Sequence, residues 1–275
     1  AKKLVNITYE MSVASAQVKS AILIAGLHLE DEAIVIEKDK TRDHTELMLG
    51  LPVKAEDEKI ISSSSLKYYP AAKEYFIPGD ISTSAFHIVL TLLTNNSEIK
   101  INNVSLNPTR TGFIELLKQM GADIRYEDVK YSSNEPYGNV FVKSSNLRNV
   151  KIDSEIITNI IDEIPILAIA GIFAEGNFEI RNAKELRVKE SDRIKSLCYN
   201  LNLLGLEVEE YEDGFLISGE IKNLKITFES FGDHRIAMAF SILSMLLKNG
   251  GEVNDFECVN ISNPKFEEQI NSIIN

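Results

Sequence analysis

Ile160-Ile161-Asp162-Glu163-Ile164-Pro165-Ile166-Leu167-Ala168-Ile169-Ala170-Gly171-Ile172-Phe173-Ala174 is apolar on every side once its acidic pair is set aside. A surface helix carries one apolar stripe, so a helical segment without a polar face belongs in a core. It is shorter than the roughly 18–20 residues a membrane span needs. Three other stretches, 16–28, 82–94 and 234–248, read the same way. Each of the four is entered from a polar turn and followed by a short alternating strand, at 33–37, 98–104, 177–180 and 252–258.

A charged turn comes next in every copy: Thr41-Arg42-Asp43-His44, Asn107-Pro108-Thr109-Arg110, the run 187–193, and Ser262-Asn263-Pro264-Lys265. Asn263-Pro264 suits an N-cap with proline at the first helical position. The amphipathic helix that follows ends in three copies on Gly50, Gly121 or Gly205, the residue expected where a helix stops in a left-handed conformation. Ser15, Asp80, Asp162 and Asp233 mark the copies at intervals of about 65, 82 and 71 residues. The expectation is an α/β protein built by internal duplication of a β-α-β-α-β-β unit. Segment 54–78, with Ser62-Ser63-Ser64-Ser65 and Ile77-Pro78-Gly79-Asp80, interrupts the rhythm and places a domain boundary near 75–78. About one unit precedes it and three follow.

Composition narrows the function. The 275 residues, 44% hydrophobic and 25% charged, suit a soluble globular chain with a sizeable core. A net charge of -12 argues against nucleic-acid binding, which needs a basic footprint. Small anions are not excluded as ligands, because local cations hold them whatever the overall sign. Cys198 and Cys258 are too few for a disulfide framework or a zinc site, which fits a reducing cytoplasm. The four histidines show no metal-ligand spacing, no run suggests a membrane span or a secretory signal, and no metal or cofactor is expected.

Two clusters carry the chemistry. Arg187-Val188-Lys189-Glu190-Ser191-Asp192-Arg193 puts three cations and two carboxylates into seven residues, and Phe231-Gly232-Asp233-His234-Arg235 adds more. Such density reads either as a solvated helix start held by local pairs, or as fixed cations gripping anions while a carboxylate moves protons. Asp162 likewise reads as buried acid–base machinery or, together with Glu163, as helix-dipole complement.

Val13-Ala14-Ser15-Ala16-Gln17-Val18-Lys19-Ser20-Ala21, Thr41-Arg42-Asp43-His44-Thr45-Glu46, the run 187–193 and Asp233-His234-Arg235 together resemble the 3-phosphoshikimate 1-carboxyvinyltransferase (EPSP synthase) family over essentially the whole chain. The resemblance implies the enolpyruvyl transferase fold: repeated β-α-β-α-β-β units in two globular domains, an inside-out α/β barrel. Residues 1–76 would be the last unit of one domain, and 77–275 a nearly complete second domain of three units. It also implies transfer of the enolpyruvyl group of phosphoenolpyruvate to the 5-hydroxyl of shikimate 3-phosphate, without a cofactor. Asp162 and Glu190 would be catalytic. Gln17, Arg193, His234 and Arg235 would bind phosphoenolpyruvate; Ser15, Ala16, Gln17, Arg42, Asp162 and Lys189 would bind shikimate 3-phosphate.

The sequence departs from the family in places. Ile261 stands where some members carry a lysine, Asn263 where an aromatic residue is common, and Glu185 where others have asparagine. The resemblance begins roughly 150 residues into such an enzyme. The early Lys-Ser motif, the glycine-containing phosphoenolpyruvate loop and one arginine have no counterpart. The expected partner is therefore the N-terminal polypeptide that carries them, or a second copy meeting an uncovered face; a catalytically incompetent piece is the alternative. The related UDP-N-acetylglucosamine enolpyruvyl transferases are expected to lack the Lys-Glu-Ser-Asp-Arg run.

Overall fold

The apolar helices set the architecture of the computed structural model, which describes residues 5–222 and 225–274; the opening Ala1-Lys2-Lys3-Leu4 lies outside the described residues. The chain divides into two units, the first comprising Ala1–Gly79, Asn103–Arg110 and Asp128–Gly138, the second the remainder.

The first unit contains β1 (Ile7–Glu10), α1 (Ala16–Gly26), β2 (Ala33–Glu37), α2 (His44–Leu49), β3 (Val53–Glu56) and β4 (Lys59–Ser64). They form one sheet in the order β1-β2-β4-β3: β1 and β2 run parallel, and the hairpin β3–β4 joins antiparallel on β2. One face of α1 closes a small core of Met11, Leu23, Leu27, Val35 and Leu51, with Tyr9, Ile22, Leu49 and Tyr68 packed at its edge. Its opposite face is open, with Val18 42% and Ile24 51% exposed. This differs from the expectation of a helix buried all round. Uniformly apolar composition does not report which faces of a helix are buried.

Elsewhere the chain forms α3 (Ile81–Leu93), β5 (Glu98–Ser105), α4 (Gly112–Gln119), β6 (Asp123–Ser132), β7 (Glu135–Lys143), α5 (Ile157–Ile160), α6 (Ile164–Phe173), β8 (Phe178–Ile180), α7 (Arg193–Leu203), β9 (Glu207–Tyr211), β10 (Gly214–Ser218), β11 (Ile226–Glu229), α8 (His234–Leu246), β12 (Gly251–Asn254) and α9 (Phe266–Ile274). The sheets are β5-β7-β6, β8-β10-β9 and the parallel pair β11-β12. In the second unit α3, α6 and α8 pack on one another. They bury Phe86, Ile88, Leu92, Leu167, Ile169, Phe240 and Leu243 almost completely. Each such side chain contributes about 1.5–3 kcal/mol relative to exposure. Amphipathic α4, α7 and α9 present apolar faces inward, as where Phe266 meets Phe86 edge-on at 5.8 Å. Gly50 (φ 63°) and Gly205 (φ 78°) end α2 and α7 in the left-handed region, as their positions in the repeat require.

Two further elements differ from the sequence reading. The helix expected over 160–174 is broken: α5 ends at Ile160, residues 161–163 turn, and α6 starts at Ile164 with Pro165 in its first turn. Proline has no N–H to donate and is tolerated there but not in a helix interior, so the acidic pair stands at the mouth of α6. The strand expected over 252–258 ends at Asn254. Asp255 is left-handed (φ 51°), and a 3-10 turn over Phe256–Ile261 follows. Among the described residues no single helix is long and apolar enough to cross a membrane.

Candidate active site

Three helix starts converge in the second unit. Asp80 caps α3, accepting from the backbone N–H of Ser82 (3.0 Å) and Thr83 (3.3 Å). Asp233 caps α8 in the same manner, accepting from Arg235 (2.9 Å) and Ile236 (3.4 Å). Asp162 and Glu163 precede α6. Side chains bind the three starts together. The Ser82 hydroxyl donates to the buried Glu163 carboxylate and accepts from Arg235 Nη1 at 3.0 Å. Arg235 Nη1 also donates to the Asp162 carbonyl at 2.8 Å and lies 3.5 Å from Glu163 Oε1. Each helix start carries the positive end of a dipole, which favours negative charge beside it; at α3 and α8 the capping aspartates already supply part of that charge.

Arg193, the first residue of α7, lies at the centre and is 1% exposed. Its Nε donates to Asp233 Oδ2 (2.8 Å), and Nη2 to Asp233 Oδ1 (3.4 Å) and to Glu190. Nη1 lies 3.7 Å from Asp162 Oδ1 and makes no hydrogen bond among the described residues. Asp233 therefore occupies one edge of the guanidinium, and Asp162 and Glu190 flank the other. That second edge is the one a carboxylate or phosphate takes bidentately. The Glu190 side chain is half exposed and can give way to such a ligand.

Burial acts to raise the Asp233 carboxyl. The hydrogen bond and charge of Arg193, the Arg235 N–H and the Ser191 hydroxyl outweigh it and hold the group below its ordinary value. For His234, burial first and the Arg235 charge second push the imidazole below 6.5, so the ring is neutral at pH 7.

The run 187–193 divides between structure and site. Arg187 holds Asp192 (2.8 Å), Glu210 (2.9 Å) and the carbonyls of Tyr211 and Glu212, while Asp192 caps α7 through the Lys195 N–H. Lys189 pairs with Glu185. Among the residues singled out from sequence, Asp162, Glu190, Arg193, His234 and Arg235 are gathered in this cluster. Ser15, Ala16, Gln17 and Arg42 belong to the first unit. There Ser15 caps α1 by accepting from the Val18 N–H (3.4 Å), and Arg42 lies half-buried in the turn before α2.

The sequence reading missed Ser82, gave Glu163 no part beside its neighbour, and took Asp233 only as a member of a motif. Internal repetition could have found Ser82, since Asp80-x-Ser82 and Asp233-x-Arg235 place both side chains two residues after the cap. Among the described residues no group of three or more His, Cys, Asp or Glu could hold a metal ion.

With buried helices opening on a cluster of arginines and carboxylates, the chain has the fold of the enolpyruvyl transferases. Over 98% of its length it superimposes on 63% of EPSP synthase from Acinetobacter baumannii (TM-score 0.85, 38% identity). The enolpyruvyl transferase NikO from Streptomyces tendae, at 15% identity and TM-score 0.74 over 99% of this chain and 65% of that one, shares the fold. The chain belongs to the EPSP synthase (3-phosphoshikimate 1-carboxyvinyltransferase) family, whose model matches residues 1–270. It is 48% identical over 271 residues to the 3-phosphoshikimate 1-carboxyvinyltransferase of Petrotoga mobilis, covering 97% of this chain and 62% of that protein. With that of a Thermotoga species it shares 44% over 278 residues, 98% of this chain and 64% of the relative. The chain thus spans 62–64% of the length of these relatives.

Proposed function

We propose that this chain carries the acid–base and arginine part of a site that transfers the enolpyruvyl group of phosphoenolpyruvate to the 5-hydroxyl of shikimate 3-phosphate. The observation that carries this reading is the Asp162–Arg193–Glu190 arrangement, two carboxylates on one buried guanidinium, at the meeting of three helix starts. In the addition step the 5-oxygen bonds to C2 of phosphoenolpyruvate. Asp162 takes the hydroxyl proton, and Glu190 delivers a proton to the methylene carbon, giving a tetrahedral intermediate. In the elimination step the C2–O bond to phosphate breaks, the leaving phosphate takes up the proton held by Asp162, and Glu190 takes a proton back from the methyl group to restore the double bond. Arg193, Arg235 and a neutral His234, with Gln17, hold the carboxylate and phosphate of phosphoenolpyruvate. Ser15, Ala16, Gln17, Arg42 and Lys189 hold shikimate 3-phosphate. Fixed donors aimed at developing charge stabilise the transition state without reorganising. The division into 1–76 and 77–275 and a cytoplasmic location are parts of the same proposal. Calorimetric titration with phosphoenolpyruvate, shikimate 3-phosphate present, tests the assignment. Arg235→Ala weakens binding at least about tenfold, as loss of a charged hydrogen-bond donor does; unchanged affinity refutes it.

A second reading concerns what else turnover requires. Among the described residues β12 closes a sheet of only two strands, where the other sheets have three or four. The open face of α1 exposes Val18 and Ile24. An unpaired strand edge and an apolar helix face both favour further polypeptide, the N-terminal part of the relatives or a second copy, as a requirement for activity. Phosphate release by this chain alone, abolished by Asp162→Ala and undiminished per chain on dilution to where it is monomeric, refutes that requirement.

A further inference from the structure

Three fully buried charges in the first unit take no part in the chemistry above. Lys19 lies one turn inside α1, after Ser15-Ala16-Gln17, and is 1% exposed. Its Nζ contacts Glu37 Oε2 at the end of β2 (2.9 Å) and Glu46 Oε1 in α2 (2.8 Å); these carboxylates are 2% and 3% exposed. Glu37 Oε1 accepts from the Thr41 N–H (3.3 Å) and from its hydroxyl, and Glu46 Oε1 accepts from Ser62 Oγ (3.3 Å). One residue along α1, Ser20 Oγ and Thr45 Oγ1 are 2.7 Å apart. The far side of the turn is pinned as well: Asn107 donates to Asp43 (2.8 Å), and His44 Nδ1 pairs with Glu135 (2.6 Å).

The turn carrying Arg42 is therefore tied at both ends to one ammonium in α1, through Glu37 and Thr41 on one side and Glu46 on the other. Buried ion pairs add little net stability, because desolvation offsets their attraction. Two carboxylates on one lysine also leave an excess of negative charge. A fixed spacing is what such a triad provides.

We propose that Lys19 is a positioning residue: it sets the separation between the start of α1 and Arg42, so that a phosphate monoester is held by the helix-start N–H groups and the guanidinium together. The inference rests on the assignment of Ser15, Gln17 and Arg42 to shikimate 3-phosphate. Loss of register of about 1 Å in such an arrangement is enough to cost one to two orders of magnitude in function.

The test is titration of the full chain with shikimate 3-phosphate, using the neutral triad Lys19→Met/Glu37→Gln/Glu46→Gln, which leaves no buried charge unpaired. Its affinity falls about tenfold or more with far-UV circular dichroism unchanged, and Arg42→Ala, costing about tenfold in the parent, costs less than about threefold in the triad background. That loss of coupling is a readout a purely structural lysine does not move. Ser20→Ala/Thr45→Val loosens the same junction without touching a charge and weakens binding about threefold or more. Parent affinity in both variants, or an undiminished Arg42→Ala effect, overturns the inference alone. No binding by the parent chain, alone or mixed with the portion of the Petrotoga mobilis relative that it does not cover, overturns the phosphate-site assignment and this inference with it.

Discussion

Replacing Asp233 separates its two duties. The carboxylate is fully buried, caps α8 through two N–H groups, and neutralises Arg193, itself 1% exposed. Removing one partner of a buried ion pair costs about 3–5 kcal/mol, because a charge is left without its partner. Here Asp162 and Glu190 stay within reach of the guanidinium, so the lower end applies. An asparagine side chain keeps an oxygen able to cap the helix; alanine does not, which costs about 1 kcal/mol more. Asp233→Asn is thus expected to lose about 3 kcal/mol and Asp233→Ala about 4. In urea unfolding followed by far-UV circular dichroism, with a slope of about 3 kcal/mol/M, the midpoints fall by about 1 and 1.3 M. The folded carboxyl titrates below its ordinary value of 3.8, so its contribution is present above that pH and is lost as pH falls through the folded value. The gap between the parent and Asp233→Asn must therefore close in acid. Asp233→Asn within about 0.5 kcal/mol of the parent at neutral pH, or a gap that does not close, refutes the assignment.

Glu163→Gln keeps the shape but removes the charge beside Ser82 and Arg235; phosphoenolpyruvate affinity falls about tenfold by calorimetry while shikimate 3-phosphate affinity holds. His234 and His87 both titrate below 6.5 in the folded state, mainly through burial, so stability is fully present above 6.5 and declines as pH falls towards the folded values. His234→Asn removes its share of that decline, visible as a flatter thermal midpoint between about pH 5 and 7; an unchanged profile counts against its burial. Gly171→Ala places a Cβ 2.4 Å from ring atoms of Phe178 where α6 meets β8, and overpacking of this kind costs about 1–3 kcal/mol in chemical denaturation.

Much of this fold was legible because the repeat combines signals of different physical origin. Helices without a polar face and alternating strands agree in register four times over, with glycines at helix ends in three of the copies, and chance rarely produces that agreement. Pro165 could have placed the start of α6, had its missing donor been weighed against the uniform apolarity around it. The exposure of α1 had no local signal, since a uniformly apolar helix does not mark which of its faces meets the core. In the site, the density of charge at 187–193 was visible, but the division of labour was not. Arg187 and Arg193 are the same residue type six positions apart, one braced on a strand hairpin and the other buried against Asp233. That difference arises from which helix starts converge. The Lys19 triad was hidden for a similar reason: a lysine in an apolar helix reads as solvent-facing until β2 and α2 bring their carboxylates to it.

We propose that Asp162 and Glu190, on either side of Arg193, move the protons of enolpyruvyl transfer. The most direct measurement is phosphate release from phosphoenolpyruvate with saturating shikimate 3-phosphate, by this chain mixed with the portion of the Petrotoga mobilis relative that it does not cover. The account predicts turnover in the mixture that falls at least about a hundredfold in Asp162→Ala and in Glu190→Gln, the scale of a lost general acid or base. Turnover that survives both substitutions, or a folded mixture that releases no phosphate, contradicts it.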